Sequence, residues 1–316
     1  MPRIVLLLSS IAAALVLASG AGLLNAAKPA EAAFPGQNGR IAYAENDDPG
    51  DDENSGDEEI YTIKPDGRGK YQVTDNTTGD YDPDYSPDGK KIVYSGYDGD
   101  DYEIYIINAD GSGKVQVTDN DTNEQAPSFS PDGTKLAYDG YDGNDYEIYT
   151  NNVSGGAEFA VTNNKTDDYW PDYSPSGNRI VYQRGPEGTE DWEIFTVDVS
   201  GRNSFNVTNN KTDDLDPEYS PGGSRITYVS DYQSSDYEVY TIKVGGGTPF
   251  KVTDNNVNDR GPTYSPDGKR LAYEGYQGQG AWGKLFKITV GGGDPVLLES
   301  HENSPYGPSR PSWGSR

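Results

Sequence analysis

Between Gly36 and Trp313 the chain alternates short apolar runs with turn-forming residues, and no segment carries a helical i, i+3, i+4, i+7 stripe. Pro83 to Asn120 shows the pattern. Pro83-Asp84-Tyr85-Ser86 is a short extended run. It closes on Pro87-Asp88-Gly89, where proline suits the second turn position and glycine a positive φ. Lys91-Ile92-Val93-Tyr94 is rich in β-branched and aromatic residues and reads as a strand. After the polar turn Gly96–Asp100 comes a second long strand, Tyr102–Ile106, and then the hairpin signal Asp110-Gly111. Val115–Thr118 alternates apolar and polar, as a half-exposed edge strand does. The unit is a four-stranded antiparallel meander.

The unit recurs. Ser-Pro-Asp-Gly stands at Ser86–Gly89, Ser130–Gly133 and Ser265–Gly268, with variants at Ser174–Gly177 and Ser220–Gly223. The closing glycines lie 44, 44, 46 and 45 residues apart, a period that marks one supersecondary unit stacked on its neighbours. The strand of the Ile-x-Tyr type occurs six times, at Ile41, Ile92, Leu136, Ile180, Ile226 and Leu271. The Pro-Asp-Tyr-Ser strand occurs five times inside the chain, and its sixth copy is Pro311-Ser312-Trp313-Gly314 at the C-terminal end. The first unit lacks this strand and the chain end supplies it. A closed ring needs that arrangement, because closure removes exposed sheet edges. The expectation is an all-β, six-bladed β-propeller of four-stranded antiparallel blades, closed by a C-terminal strand.

The Ser-Pro-Asp-Gly turn, the Ile-x-Tyr strand and the Val-Thr-Asp-Asn strand resemble the WD40-like (PD40) repeats of TolB-type β-propellers, from Gly36 to Trp313. The resemblance implies that the Pro-Asp-Tyr-Ser strand is innermost and the Val-Thr-Asp-Asn strand outermost. It also implies a setting in the cell envelope and protein binding at the channel face. TolB carries an α/β domain before its propeller; here only a few residues separate the leader from the first strand.

Residues 1–32 differ in kind. Arg3 precedes an apolar run from Ile4 to Leu17, and Ala30-Glu31-Ala32 fits a small-residue cleavage site, so the segment reads as a secretory signal peptide. Residues 33–316 then form the propeller, extracytoplasmic, monomeric and without membrane insertion. A retained anchor is the other reading of Ile4–Leu24. Cysteine is absent, which excludes disulfides and thiol chemistry. The net charge is −27; the leader's Arg3, Lys28 and Glu31 sum to +1, so residues 33–316 carry −28. That field repels nucleic acid and favours cations or basic partners, and it also serves solubility.

Enzyme signatures are missing. His301 is the one histidine, there is no Gly-x-Ser-x-Gly elbow, and a His/Cys zinc site cannot be assembled. No phosphate-binding loop or dinucleotide fingerprint occurs. One constellation repeats: Asp80, Glu124, Asp168, Asp214 and Asp259 each stand three residues before an inner-strand proline. In a propeller these loops gather at the channel mouth. Their acids can hold a cation or a partner's Lys or Arg, or they can cap their own loops by accepting N–H groups. Asp119, Asp121 and Asn123 resemble the start of a calcium loop, although Glu124 replaces the expected glycine, and Asp51–Asp57 is a second acidic knot. Tyr85, Phe129, Tyr173, Tyr219, Tyr264 and Trp313 share one repeat position, which suits packing between blades. Tyr97, Tyr141, Trp192 and Tyr232, near the hairpins, are better placed for a partner.

The function expected is an exported, non-enzymatic binding module showing an acidic channel face to a protein partner or cation. No cofactor is required, and Ca2+ is the ion the acidic loops suit. A carbohydrate-active enzyme working through carboxylates or a metal, and a calcium-stabilised secreted structural protein, are the alternatives.

Overall fold

The computed structural model describes residues 38–46, 58–185, 191–276, 283–300 and 309–315. The leader, the Asp51–Asp57 knot and His301 lie outside them. The described residues form 24 strands in six four-stranded antiparallel sheets, with no helix. These sheets are the blades of a propeller. Blade two runs outward from the channel through Asp80–Tyr85, Lys91–Tyr97, Tyr102–Asn108 and Val115–Gln116. Blades three to six repeat that order.

Blade one closes the ring. Its inner strand is the C-terminal Ser309–Ser315, antiparallel to Asn38–Asn46 with Ile41 opposite Trp313. The closing strand also grips blade two: Ser312 Oγ donates to Asp84 Oδ1 at 2.8 Å and Ser315 Oγ to the Pro87 carbonyl at 2.6 Å. Gly314 is required there, since a Cβ would lie 2.7 Å from the Tyr85 ring. The sheet edges that an open array would expose at this seam are thereby paired.

Each seam between blades holds its own apolar core. Ile60 and Val73 of blade one pack with Tyr85, Ile92 and Tyr94 of blade two. At the closure, Ile41, Tyr43 and Trp313 pack with Ala272, Leu285 and Leu298 of blade six. The six aromatics at the shared repeat position, Tyr85, Phe129, Tyr173, Tyr219, Tyr264 and Trp313, are all buried, one in each seam core, as their spacing suggested. Burying such a side chain is worth about 1.5–3 kcal/mol, so the ring is held by six comparable cores rather than one.

Two motifs acquire physical reasons. In Ser-Pro-Asp-Gly, the Gly89 N–H donates to the Ser86 carbonyl at 2.8 Å, Gly89 takes φ +67°, and Ser86 Oγ accepts the Lys91 N–H at 2.9 Å. A side chain at that φ would be strained. The Val-Thr-Asp-Asn segment is outermost, but the outer strand itself is shorter than expected, only Val115–Gln116 in blade two. The ladder ends because a side chain replaces it: Thr118 Oγ1 accepts the Ile104 N–H at 2.8 Å. Thr74, Thr162, Thr208 and Thr253 do the same for Ile60, Ile148, Ile194 and Val239. The threonine thereby satisfies an N–H that the truncated edge strand leaves open.

Candidate binding site in the central channel

The inner strands are bent by a bulge. Tyr81 pairs with Ser95 and Asp84 with Val93, so Asp82-Pro83 falls out of register. Proline cannot donate to a ladder, and a bulge absorbs it. The residue before each such proline takes a positive φ: Asp82 54°, Ala126 50°, Trp170 59°, Asp216 54°, Gly261 51° and Arg310 45°. For a side chain other than glycine's this costs on the order of 1 kcal/mol or more. The displaced N–H groups are taken up across the seams. Ala126 donates to Ser95 Oγ at 3.2 Å, Trp170 to Asp139 Oδ1 at 3.0 Å and Asp216 to Gln183 Oε1 at 2.9 Å.

The bulge points these six residues into the channel, which encloses about 170 Å³ and extends to the prolines of the Ser-Pro turns. They break the six-fold pattern. The Arg310 guanidinium stacks on the Trp170 ring at 2.9 Å from its centroid and pairs with Asp216 Oδ1 at 3.0 Å, with Asp82 Oδ1 at 3.9 Å. Arginine and tryptophan thus meet in the channel from opposite blades, one and four.

A second ring follows the prolines: Asp84, Ser128, Asp172, Glu218, Thr263 and Ser312. Its three acids are half-buried. Each accepts a backbone N–H from the next blade carrying an inner-strand aromatic: Asp84 from Phe129 at 2.9 Å, Asp172 from Tyr219 at 2.7 Å and Glu218 from Tyr264 at 3.0 Å. Among the described residues, no Lys or Arg pairs with any of the three. Loss of hydration pushes Asp84 up from 3.8 to about 6, against the pull of the Phe129 N–H and the Ser312 hydroxyl. Burial, with Asp84 beside it, takes Asp172 to about 8, and burial with Asp172 beside it raises Glu218 well above its usual value. In the first ring, burial brings Asp82 to about 6 even though Arg310 draws it down. Like charges in a poorly hydrated ring oppose ionisation, and a cation entering the ring relieves that opposition.

The acids singled out by their spacing stand elsewhere. Asp80, Glu124, Asp168, Asp214 and Asp259 are 0–3% exposed and sit in the seams, not among the channel-lining residues. Each is the first residue of an inner strand, ahead of the bulge, on the side of the preceding blade. Each accepts the side-chain amide of its own loop's asparagine: Asn76 to Asp80 at 2.8 Å, Asn120 to Glu124 at 2.9 Å, Asn164 to Asp168 at 2.7 Å, Asn210 to Asp214 at 2.5 Å and Asn255 to Asp259 at 3.0 Å. The loop N–H groups go instead to a glutamate of the preceding blade. Asn76 N–H donates to Glu59 at 2.5 Å, Asn120 to Glu103 at 2.7 Å, Asn210 to Glu193 at 2.6 Å and Asn255 to Glu238 at 2.6 Å, with Asn164 and Glu147 bonded likewise. That glutamate is the true loop cap. Its signal was in the sequence, since it precedes the strand's Ile or Val in all five copies. Burial drives Asp214 to about 7 and Asp259 to about 8, the latter also opposed by Glu238. Arg184 compensates one seam, its Nε 2.7 Å from Asp168 Oδ1.

Asp119 and Asp121 remain exposed on their loop, and Asn123 Oδ1 accepts the Tyr102 N–H at 3.0 Å. The second-ring acids Asp84, Asp172 and Glu218 were not legible as a site because each stands inside the regular Pro-Asp-Tyr-Ser motif. Variation at one slot, Asp84, Ser128, Asp172, Glu218, Thr263 and Ser312, was the available signal.

Known proteins agree with this architecture. The family described as the TolB beta propeller domain (PD40) matches residues 95–305. No curated protein matches the chain by sequence. The crystal structure of TolB from Acinetobacter baumannii is similar with a TM-score of 0.73 at 22% identity, over 88% of this chain and 67% of that one. Putative TolB from Agrobacterium tumefaciens gives 0.67 at 18% identity, over 86% of this chain and 93% of that one. Hydrazine synthase from Kuenenia stuttgartiensis gives 0.68 at 15% identity, over 88% of this chain but 47% of that one. At these identities the structures share the fold, and the family follows from the sequence match: the chain belongs to the TolB β-propeller family.

Proposed function

We propose that this propeller is a non-enzymatic, extracytoplasmic binding module whose channel takes a basic segment of a protein partner or a cation. The observation that carries the reading is the second channel ring, where Asp84, Asp172 and Glu218 face one another with no cationic side chain among the described residues to compensate them. A Lys or Arg entering there gains charge-assisted hydrogen bonds in a site little screened by water. The acids are fixed by N–H groups of the next blade, which orients them as ligands. The apolar leader at residues 1–32 supports export, and family membership supports protein binding at the channel.

The test is fluorescence anisotropy with a labelled hexalysine peptide, at two salt concentrations. Binding that weakens with salt is expected, and Asp172→Asn with Glu218→Gln should weaken it at least about tenfold. Peptide affinity unchanged by that double substitution sinks the reading.

A further inference from the structure

A second feature lies away from the channel, on the hairpin between the middle strands of blade two. Asp98, Asp101 and Glu103 each offer one carboxylate oxygen, and the three oxygens lie within 4.8 Å of one another. We propose that these three side chains form a site for a divalent cation of the calcium type, pinning the blade-two hairpin to the seam with blade three.

Acidic turns are common, and the cluster alone would say little. The decisive observation is Glu103. It is fully buried; its Oε1 accepts the Asn120 N–H at 2.7 Å, and among the described residues its Oε2 is reached by no amide, hydroxyl or cationic donor. The buried Asp101 Oδ1 is likewise without a donor. Leaving a buried carboxylate oxygen unpaired is costly, and both belong to the one cluster. The hairpin backbone already organises the third ligand: Asp98 Oδ1 accepts the Asp100 N–H at 2.9 Å and the Asp101 N–H at 3.2 Å. Oxygen-only ligands at this spacing suit Ca2+, which takes oxygens at about 2.3–2.6 Å and completes its shell with carbonyls or water.

Among the described residues the cluster is found in blade two alone, and blades three and five show why. Blade three repeats the hairpin as Asp142, Asp145 and Glu147, yet there Asn164 Nδ2 reaches both Asp168 Oδ2, at 2.7 Å, and Glu147 Oε2, at 3.1 Å. Glu147 is thus satisfied at both oxygens. In the blade-two seam the inner-strand acid is Glu124, one methylene longer than the aspartate of the other four seams. It takes the Asn120 amide at 2.9 Å and the Thr122 hydroxyl at 2.9 Å, and no amide is left for Glu103. In blade five Lys251 lies 3.4 Å from the equivalent Glu238, and at that repeat position blade two has Gln116. Among the described residues, no Lys or Arg forms an ion pair with Asp98, Asp101, Glu103 or Glu124.

Tyr102 stands between two of the ligands, with Tyr97 at 5.4 Å from its ring, so bound Tb3+ should luminesce on tyrosine excitation. The experiment is Tb3+ titration of residues 33–316, followed by displacement with Ca2+. Asp98→Asn with Asp101→Asn should weaken Tb3+ and Ca2+ at least about tenfold, since affinity follows the number of charged ligands. Asp142→Asn with Asp145→Asn, and the channel pair Asp172→Asn with Glu218→Gln, should leave this luminescent site unchanged. Glu124→Asp shortens the competing acid, frees Asn120 for Glu103 and should also weaken binding, which keeps the proposal testable if the first variant misfolds. Absence of sensitised luminescence, or luminescence that survives both blade-two variants, overturns it. Because the channel variant is read separately, hexalysine binding can fail while this site stands, and the reverse.

Discussion

The seam acids and the channel acids differ in one respect that explains both. Asp80, Glu124, Asp168, Asp214 and Asp259 recur with the repeat, and each meets the asparagine of its own loop. Asp82, Asp84, Asp172, Asp216 and Glu218 occupy slots that other blades fill with Ala126, Ser128, Trp170, Thr263 or Arg310. A carboxylate demanded by the blade has its donors built into the blade. One found in only some blades must be stabilised by neighbours or left short of charge, and that shortage is what a ligand can fill. Regularity in a repeat protein therefore marks structure, and departure from it marks the candidate site.

Breaking the compensation of a seam should have the largest effect. Arg184→Ala leaves Asp168 buried without its cation, and roughly 3 kcal/mol should be lost. Asp172→Asn in the channel should cost nothing or stabilise, because it removes a carboxylate that burial and Asp84 already oppose. Urea unfolding of the two variants checks the contrast, and equal losses would erase the distinction between the two acid sets.

The next effect is with pH. Asp172, Asp214, Asp259, Glu124 and Glu147 all have folded values raised above 3.8 or 4.5, to about 7 or 8. Each therefore contributes stability that is complete below the unfolded value and is lost as pH rises through the folded value. Stability should fall between pH 5 and pH 8.5 by at least about 2 kcal/mol, opposite to the usual rise from acid to neutral pH. Melts across this range measure it. The channel double variant, Asp172→Asn with Glu218→Gln, should flatten part of the slope; an unaltered slope would assign the whole effect to the seams.

The smallest effect belongs to the turns. Asp88 Oδ1 accepts from Ser86 Oγ at 2.8 Å and from the Lys90 N–H at 3.2 Å on an exposed turn. Asp88→Ala should cost about 0.5–1 kcal/mol, less than either change above, and leave the pH slope intact. A loss as large as that of Arg184→Ala would mean that turns, not seams, limit the ring.

Which strand lies innermost came from the family resemblance, while the sequence by itself determined the blade count, the four-stranded meander of each blade and the closing strand. Those follow from local chemistry repeated at a fixed period: Ser-Pro-Asp-Gly can turn only one way, and Ile-x-Tyr strands can bury a face only against another blade. It also placed Tyr85 and its five equivalents correctly, because a repeated aromatic has a repeated neighbour. What the tertiary structure alone decided was which acids meet which. The seam partners Glu103 and Glu124 are 21 residues apart in sequence, and Asp84 and Ser312 are 228 apart. The bulge before each inner proline decides whether a side chain enters the channel or the seam, and shifting register by one residue exchanges the two faces of a strand. Spacing recorded that an acid recurs; only the closed ring, which brings blades one and four face to face across the channel, set Arg310 on Trp170 and left Asp84, Asp172 and Glu218 facing one another with no ion-paired cation among the described residues.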